Sequence, residues 1–174
     1  MDFLDFEGTE LYFDEPVSEE VEELLAHASD EGRNDEAETF LMRAYFLQPE
    51  HFTVLVAVYR FYYYTQRYKD ALIIADRVIG ICSEKLKLNT DWSLVSNDDI
   101  SKSARISMVL TRFYLFALKS SGYILLRMER IDEALARLKK LSALDPSDQF
   151  GSSPLIEIAG EYLVSARRNS FRAI

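Results

Sequence analysis

The sequence predicts an all-α chain of antiparallel helix pairs, and three observations point there. Six Gly and four Pro in 174 residues are too few for the turn-dense texture of a β-sandwich or barrel. Hydrophobic residues at 48% and aromatics at 13% exclude a disordered chain, which buries too little apolar surface to offset its ordering entropy. The third observation is internal repetition. Asp35-Glu36-Ala37, Lys69-Asp70-Ala71 and Asp132-Glu133-Ala134 each open a helix with a charged pair and then Ala. Ala37 and Ala71 are 34 residues apart, and Ala71 and Ala134 are 63 apart, one further period with an excess of 29.

Periodicity and stop signals place helices near 18–31, 34–48, 51–65, 68–88, 98–129, 131–144 and 153–169, about seven in all. The run Glu19-Glu20 and Glu22-Glu23 is a solvated face that complements the dipole of the first helix. Leu41, Ala75 and Leu138 follow the three alanines by one turn and share their helix face. Pro49, Ser83 and Pro146, twelve residues after each Ala, mark where the second helix of each pair stops. Asn34 and Asp132 are expected capping residues, as is the pair Ser152-Ser153 before Pro154. The excess lengthens the fourth and fifth helices and leaves a loop over 89–97 around Trp92. Ile106 to Met128 approaches the length of a membrane span, but Arg112, Lys119, Ser120, Ser121 and Arg127 interrupt it. A long helix buried in protein is expected there, with no membrane span.

Glu36-Ala37-Glu38 through Gln48-Pro49, and Glu133-Ala134-Leu135 through Asp145-Pro146, resemble second helices of the tetratricopeptide repeat, whose 34-residue unit is a helix, a turn and a helix. The corresponding first helices carry Val21, Leu24-Leu25 and Ala28, then Leu55, Val58-Tyr59 and Tyr62, then Leu118, Ser121-Gly122 and Leu125. Ser83 stands where the second copy would close with Pro. The resemblance covers about residues 18–150. It implies a right-handed superhelical stack of about three repeats, with an enlarged second-to-third junction and a C-terminal capping helix.

In that family the first helices line a concave wall. Carried onto this chain, the inward places are Glu22, Ala26 and Ser29, then Thr53, Val56, Arg60, Tyr63 and Tyr64, then Phe116, Lys119, Tyr123, Leu126 and Arg127. The implied peptide-binding groove is basic and aromatic, suited to an extended acidic-aromatic segment. Tyr62 is the member of its tyrosine run most readily assigned to packing. The lysine and asparagine with which some relatives clamp a terminal carboxylate are replaced by Glu22 and Ala26, so a heat-shock C-terminal tail is not the expected ligand.

Charge divides the chain unevenly. Residues 1–32 hold 12 acidic and no basic residues, although the net charge is -9 for the whole chain. Neither the total nor any Lys/Arg cluster provides the cationic footprint of a nucleic-acid binder. Residues 1–16 form an acidic-aromatic arm in which Phe3, Phe6, Leu11, Tyr12 and Phe13 are candidate interface residues. Residues 17–169 form the repeat domain and 170–174 a tail, near which Arg167, Arg168, Phe171, Arg172 and Ile174 are basic and apolar. The arm complements the groove, in cis or as a swap forming a homodimer, with ordering only on a partner as the alternative.

No catalytic or cofactor motif is present. There is no Gly-rich phosphate loop, no His-Glu-x-x-His, no Gly-x-Ser-x-Gly and no paired cysteine motif. His27 and His51 have no ligand spacing to Cys82, so neither a metal nor a cofactor is expected. The lone Cys82 forms no internal bridge, which suits a cytoplasmic setting. The expected function is a non-catalytic protein-binding module, an adaptor or a chaperone for a client segment. In size, charge and repeat number the chain is similar to secretion-system translocator chaperones. The alternative is a structural subunit using arm, Trp92 loop and tail as interfaces. An enzyme is a third reading.

Overall fold

Short polar side chains set the helix starts. Ser18 accepts from the Val21 N–H at 3.4 Å and opens α1 (Glu19–Glu31). Asn34, accepting from the Ala37 N–H at 2.8 Å, opens α2 (Asp35–Leu47), and His51 opens α3 (Phe52–Tyr64) through its Nδ1. These caps satisfy N–H groups that have no partner within the helix. After α4 (Tyr68–Leu86) comes a 3-10 turn over Trp92–Leu94. Then a Ser96/Asp99 capping box opens α5 (Asn97–Ile106). The remaining helices are α6 (Met108–Arg127), α7 (Ile131–Leu144) and α8 (Ser153–Arg172). This computed structural model describes residues 16–172, with side chains through residue 163. Among them are eight α-helices and no strand, so the described part of the chain is all-α. The arm residues Phe3, Phe6, Leu11, Tyr12 and Phe13, the tail residue Ile174, and the side chains of Arg167, Arg168, Phe171 and Arg172 lie outside what is described.

The single helix expected over 98–129 is two helices, which raises the count from seven to eight. Ser107 leaves the helical region, at φ -157 and ψ 112. Its N–H still donates to Ser103 O at 2.9 Å, while its Oγ accepts from the Leu110 N–H at 3.2 Å. One serine thus closes α5 and caps α6. A buried hydroxyl contact, Ser103 to Thr111 at 3.0 Å, staples the corner. Serine competes with the helix by bonding to nearby backbone, and hydropathy does not register that competition. A second correction concerns Asp132, which lies inside the first turn of α7 and does not cap it. The helix starts from Arg130 with no side-chain cap.

The turns repeat more faithfully than the sequence reading anticipates. Gly32, Gln66 and Glu129 each follow a helix with positive φ, 82, 61 and 59 respectively. Each precedes an arginine, Arg33, Arg67 or Arg130, and three residues later an acid, Glu36, Asp70 or Glu133. After α3, the Gln66 N–H donates to Tyr63 O at 3.1 Å and the Arg67 N–H to Tyr62 O at 2.8 Å. After α6, the Glu129 N–H donates to Leu126 O at 3.0 Å and the Arg130 N–H to Leu125 O at 2.9 Å. This pair of bonds is the Schellman closure, which satisfies the last carbonyls of a helix. Arg67 then pairs with Asp70 at 2.8 Å and Arg130 with Glu133 at 2.6 Å.

The chain divides into two compact units, Met1–Ile81 and Cys82–Ile174, and the division falls within α4. In the first, α1 packs on α2 and α2 on α3, around Val21, Leu24, Leu55, Val58 and Tyr59. Arg77 of α4 donates to Pro49 O at 3.2 Å and lies over the Tyr45 ring. In the second, α6 packs on α7 and α5, and α7 on α8. Every residue from Phe113 to Leu118 is buried, as a helix apolar on all sides requires. A Cβ placed on Gly122 would stand 2.9 Å from Leu138 Cγ, so α6 and α7 touch there as closely as a glycine allows. The loop expected around Trp92 is fastened to α7: Arg137 lies 5.3 Å from the Trp92 ring, and Lys140 Nζ donates to Ser93 O at 2.7 Å. Ala37, Ala71 and Ala134 are fully buried, and Leu41, Ala75 and Leu138 are buried beside them.

Candidate functional site

The first unit carries a cleft of about 300 Å³ beside the α1–α2 turn. Leu25, Ala28 and Ser29 of α1 form one wall, and Ala57, Arg60, Phe61 and Tyr64 of α3 another. Gly32 and Arg33 of the turn, with Leu41 of α2, complete the lining. Ala28, Ser29 and Ala57 are small side chains, so the two first helices leave space between them. Leu25 and Leu41 supply an apolar floor. Arg33 and Arg60 are the charged residues of the lining, and none of the lining residues is acidic.

Two guanidinium groups converge on one ring. Arg33 Cζ lies 4.4 Å from the Tyr64 centroid and Arg60 Cζ 6.0 Å from it, both within cation–π range. Tyr64 is supported by Tyr63, edge-on at 5.2 Å, which in turn stacks on Tyr59 at 6.0 Å. Arginine stays charged at any physiological pH and binds carboxylates through a planar fork. An exposed tyrosine ring over an apolar floor accepts aromatic side chains. This surface suits an acidic-aromatic peptide.

Of the groove residues expected from the sequence, Arg60 and Tyr64 line the cleft, and Tyr63 stands behind it. Thr53 is exposed and Val56 half-buried; neither belongs to the lining. The Thr53 N–H donates to His51 Nδ1 at 3.3 Å. In the second unit, Lys119 and Tyr123 are half-buried and Arg127 is exposed, with Arg127 Nη1 donating to the Tyr123 hydroxyl at 3.4 Å. Phe116 is a correction. It is only 4% exposed and belongs to the core, because it falls in the wholly apolar run from Phe113 to Leu118, where no side of the helix faces water.

Sequence reasoning missed Arg33. Its signal was available in the Arg-x-x-acid-Ala pattern that all three copies share. It also missed a broader depression of about 650 Å³ along α2, where Phe46 is 86% exposed. Glu20, Asp35 and Glu38 border that depression, so its field opposes an acidic ligand. The smaller cleft, with its converging arginines, is the better candidate.

Tyr62, Arg67, His27, His51 and Cys82 take part in packing, capping and ion pairs. Tyr62 is buried and donates to Glu38 Oε1 at 3.2 Å, in keeping with its packing assignment. Burial first, and then the neighbouring Glu38, hold its phenol above the usual range. Arg67 ties the same Glu38 to the α3–α4 turn at 2.6 Å. His27 stacks on Phe40 at 5.2 Å, while His51 caps α3. Cys82 is fully buried, and that burial pushes its thiol up to about 12, leaving almost no thiolate at neutral pH. Among the described residues no group of three or more His, Cys, Asp or Glu is placed to hold a metal, and no helix is long and apolar enough to cross a membrane.

No protein-family model matches the chain, and no solved structure matches it. A protein of Azotobacter chroococcum mcd 1, described as an uncharacterized 19.8 kDa protein in the nifW 5′ region, is 38% identical over 162 residues. The match covers 93% of this chain and 90% of that protein.

Proposed function

The chain belongs to the family of the Azotobacter chroococcum protein in the nifW 5′ region, and from that premise we propose that it is a non-catalytic protein-binding module of tetratricopeptide-repeat type. As an adaptor or chaperone in the cytoplasm, it holds an extended acidic-aromatic segment of a client protein. One observation carries this reading: Arg33 and Arg60 converge on Tyr64 above an apolar floor, with no acid in the lining. The repeat assignment draws support from the three equivalent turns and the buried alanines that follow them. A right-handed superhelix is the stack such repeats form.

The test is fluorescence anisotropy with a synthetic peptide that alternates Asp or Glu with Phe or Tyr. Because residues 1–16 share that chemistry, the full chain is measured beside a full chain carrying Phe3→Ala, Asp5→Lys and Phe6→Ala. At least one should bind, with affinity reduced about tenfold or more by Arg60→Glu, since a charge-assisted contact contributes roughly 1.5–3 kcal/mol. A peptide with Lys in place of the acids should not bind. Equal binding of both peptides, or indifference to Arg60→Glu, removes the cleft from consideration.

A second reading, a subunit of a larger assembly, draws on one feature of the second unit. Ile106, Met108 and Val109, at the α5–α6 corner, are 52%, 57% and 41% exposed, and adjoining exposed apolar residues mark interaction surfaces. Sedimentation across a concentration series separates the readings, because an assembly subunit gains mass that Met108→Glu abolishes.

A further inference from the structure

We propose that the N-terminal arm of this chain is an intramolecular ligand of the α1–α3 cleft, with Asp2 to Phe6 seated on Arg33, Arg60 and Tyr64. The proposal rests on the peptide-binding reading of the cleft and adds its regulation: a client must displace the arm to bind.

Charge selects the site. Residues 1–15 contain Asp2, Asp5, Glu7, Glu10, Asp14 and Glu15 and no Lys or Arg, and the first basic residue of the chain is Arg33. The cleft has two arginines and no acid in its lining. The α2 depression is bordered by three acids, Glu20, Asp35 and Glu38, against the single Arg43, so its net charge is unfavourable to the same segment. Glu19, Glu20, Glu22 and Glu23 along α1 disfavour contact of the acidic arm with that helix, and at its end the two arginines of the cleft must outweigh Asp30 and Glu31.

Length permits the contact. The cleft lies at the C-terminal end of α1, a helix of 13 residues, which at about 1.5 Å per residue is roughly 20 Å long. An extended chain covers about 3.3 Å per residue, so six or seven residues lead back from Pro16 to the level of Ser29. Residues 2–6 then have slack to settle. Phe3 and Phe6 flank Leu4 and Asp5, offering two rings for the Tyr64 side of the cleft and a carboxylate for the arginine forks.

The test places Leu4→Cys and Ser29→Cys in the full chain and applies mild oxidation. Cys82 is buried and stays out of the reaction. A disulfide within the monomer is expected, formed much more slowly when Arg33→Glu and Arg60→Glu are added. In the anisotropy assay, a tethered arm at an effective concentration on the order of 1 mM and an intrinsic affinity of about 100 μM weakens peptide binding about tenfold relative to the arm-substituted chain. Arg60→Gln, read beside Arg60→Glu, guards against a charge reversal that harms folding. A disulfide-linked dimer overturns docking in cis in favour of an exchanged arm. An absent cross-link with equal peptide affinity for both chains overturns the inference and leaves the peptide-binding reading standing. Failure of both chains to bind the peptide, alongside a monomeric cross-link that forms regardless of Arg33 and Arg60, overturns both.

Discussion

Leu25 and Leu41 in the α1–α2 pair hold the places that Gly122 and Leu138 hold 97 residues later in the α6–α7 pair. In the later pair one partner has no side chain, and the helices close until a Cβ on Gly122 would stand 2.9 Å from Leu138. In the earlier pair both partners are leucines, and both face a cleft. The middle pair reverses the sizes, with Tyr59 on the first helix and Ala75 on the second, both fully buried. At the same two places of one helix–turn–helix plan, a glycine thus lets α6 and α7 touch most closely, while the paired leucines line the cleft that α1 and α3 flank. The arginine of each turn has its own partners. Arg67 and Arg130 are held by acids three residues on, and Arg67 also lies 4.5 Å from the Tyr62 ring; Arg33 lies over Tyr64 at the cleft.

The sealed contact is where the comparison breaks most easily. Leu138→Ala should cost about 2–5 kcal/mol, since it removes a fully buried leucine at a site with little freedom to collapse. Gly122→Ala should cost about 1–3 kcal/mol by overpacking, as read from urea unfolding midpoints. Combined, the two changes should recover roughly 0.5–3 kcal/mol relative to their sum, because each relieves the fault of the other. Strict additivity would mean that size matching does not govern this pair.

A smaller effect with opposite sign tests the turns. Gln66→Gly and Glu129→Gly should each stabilise by about 0.5–1 kcal/mol, since both positions hold a left-handed backbone that Gly adopts without the Cβ penalty. Destabilisation at either would show that its side chain contributes more than its backbone strain removes.

The weakest effect is a pH dependence at the α7–α8 corner of the second unit. Burial opposes the charge on Asp148, but bonds from the Ser153 and Ser152 groups outweigh it and hold its carboxyl below the ordinary value of 3.8. A depressed carboxyl stabilises the fold fully above the unfolded value and loses that contribution as pH falls through the folded one. Amide shifts of Ser152 and Ser153, which donate to Asp148 at 2.6 and 3.3 Å, should therefore titrate with a midpoint below 3.8. An unchanged profile in Asp148→Asn would exclude this carboxyl as the cause.

Periodicity made most helices legible because apolar residues recur every three or four positions and the stop signals at Pro49 and Pro146 are explicit. The break at Ser107 was not legible, because one hydroxyl that bonds locally leaves the hydropathy pattern intact. Nor were the closures at Gln66 and Glu129, where glycine is the usual marker and is missing. Arg60 and Tyr64, expected from the register of the resemblance, line the cleft. Phe116 had the same register and failed, because six consecutive apolar residues override any choice of face. Arg33 required the turn to be read as part of the repeat.

Enclosure of α6 also sets a timescale. A helix buried from Phe113 to Leu118 offers solvent no side from which to reach its amides, so their protons exchange only when the whole unit opens. Residues around Gly32, at the mouth of the cleft, lie on a helix end that needs no such event. One chain thus keeps two clocks, a slow one in the interior of α6 and a fast one at the α1–α2 turn.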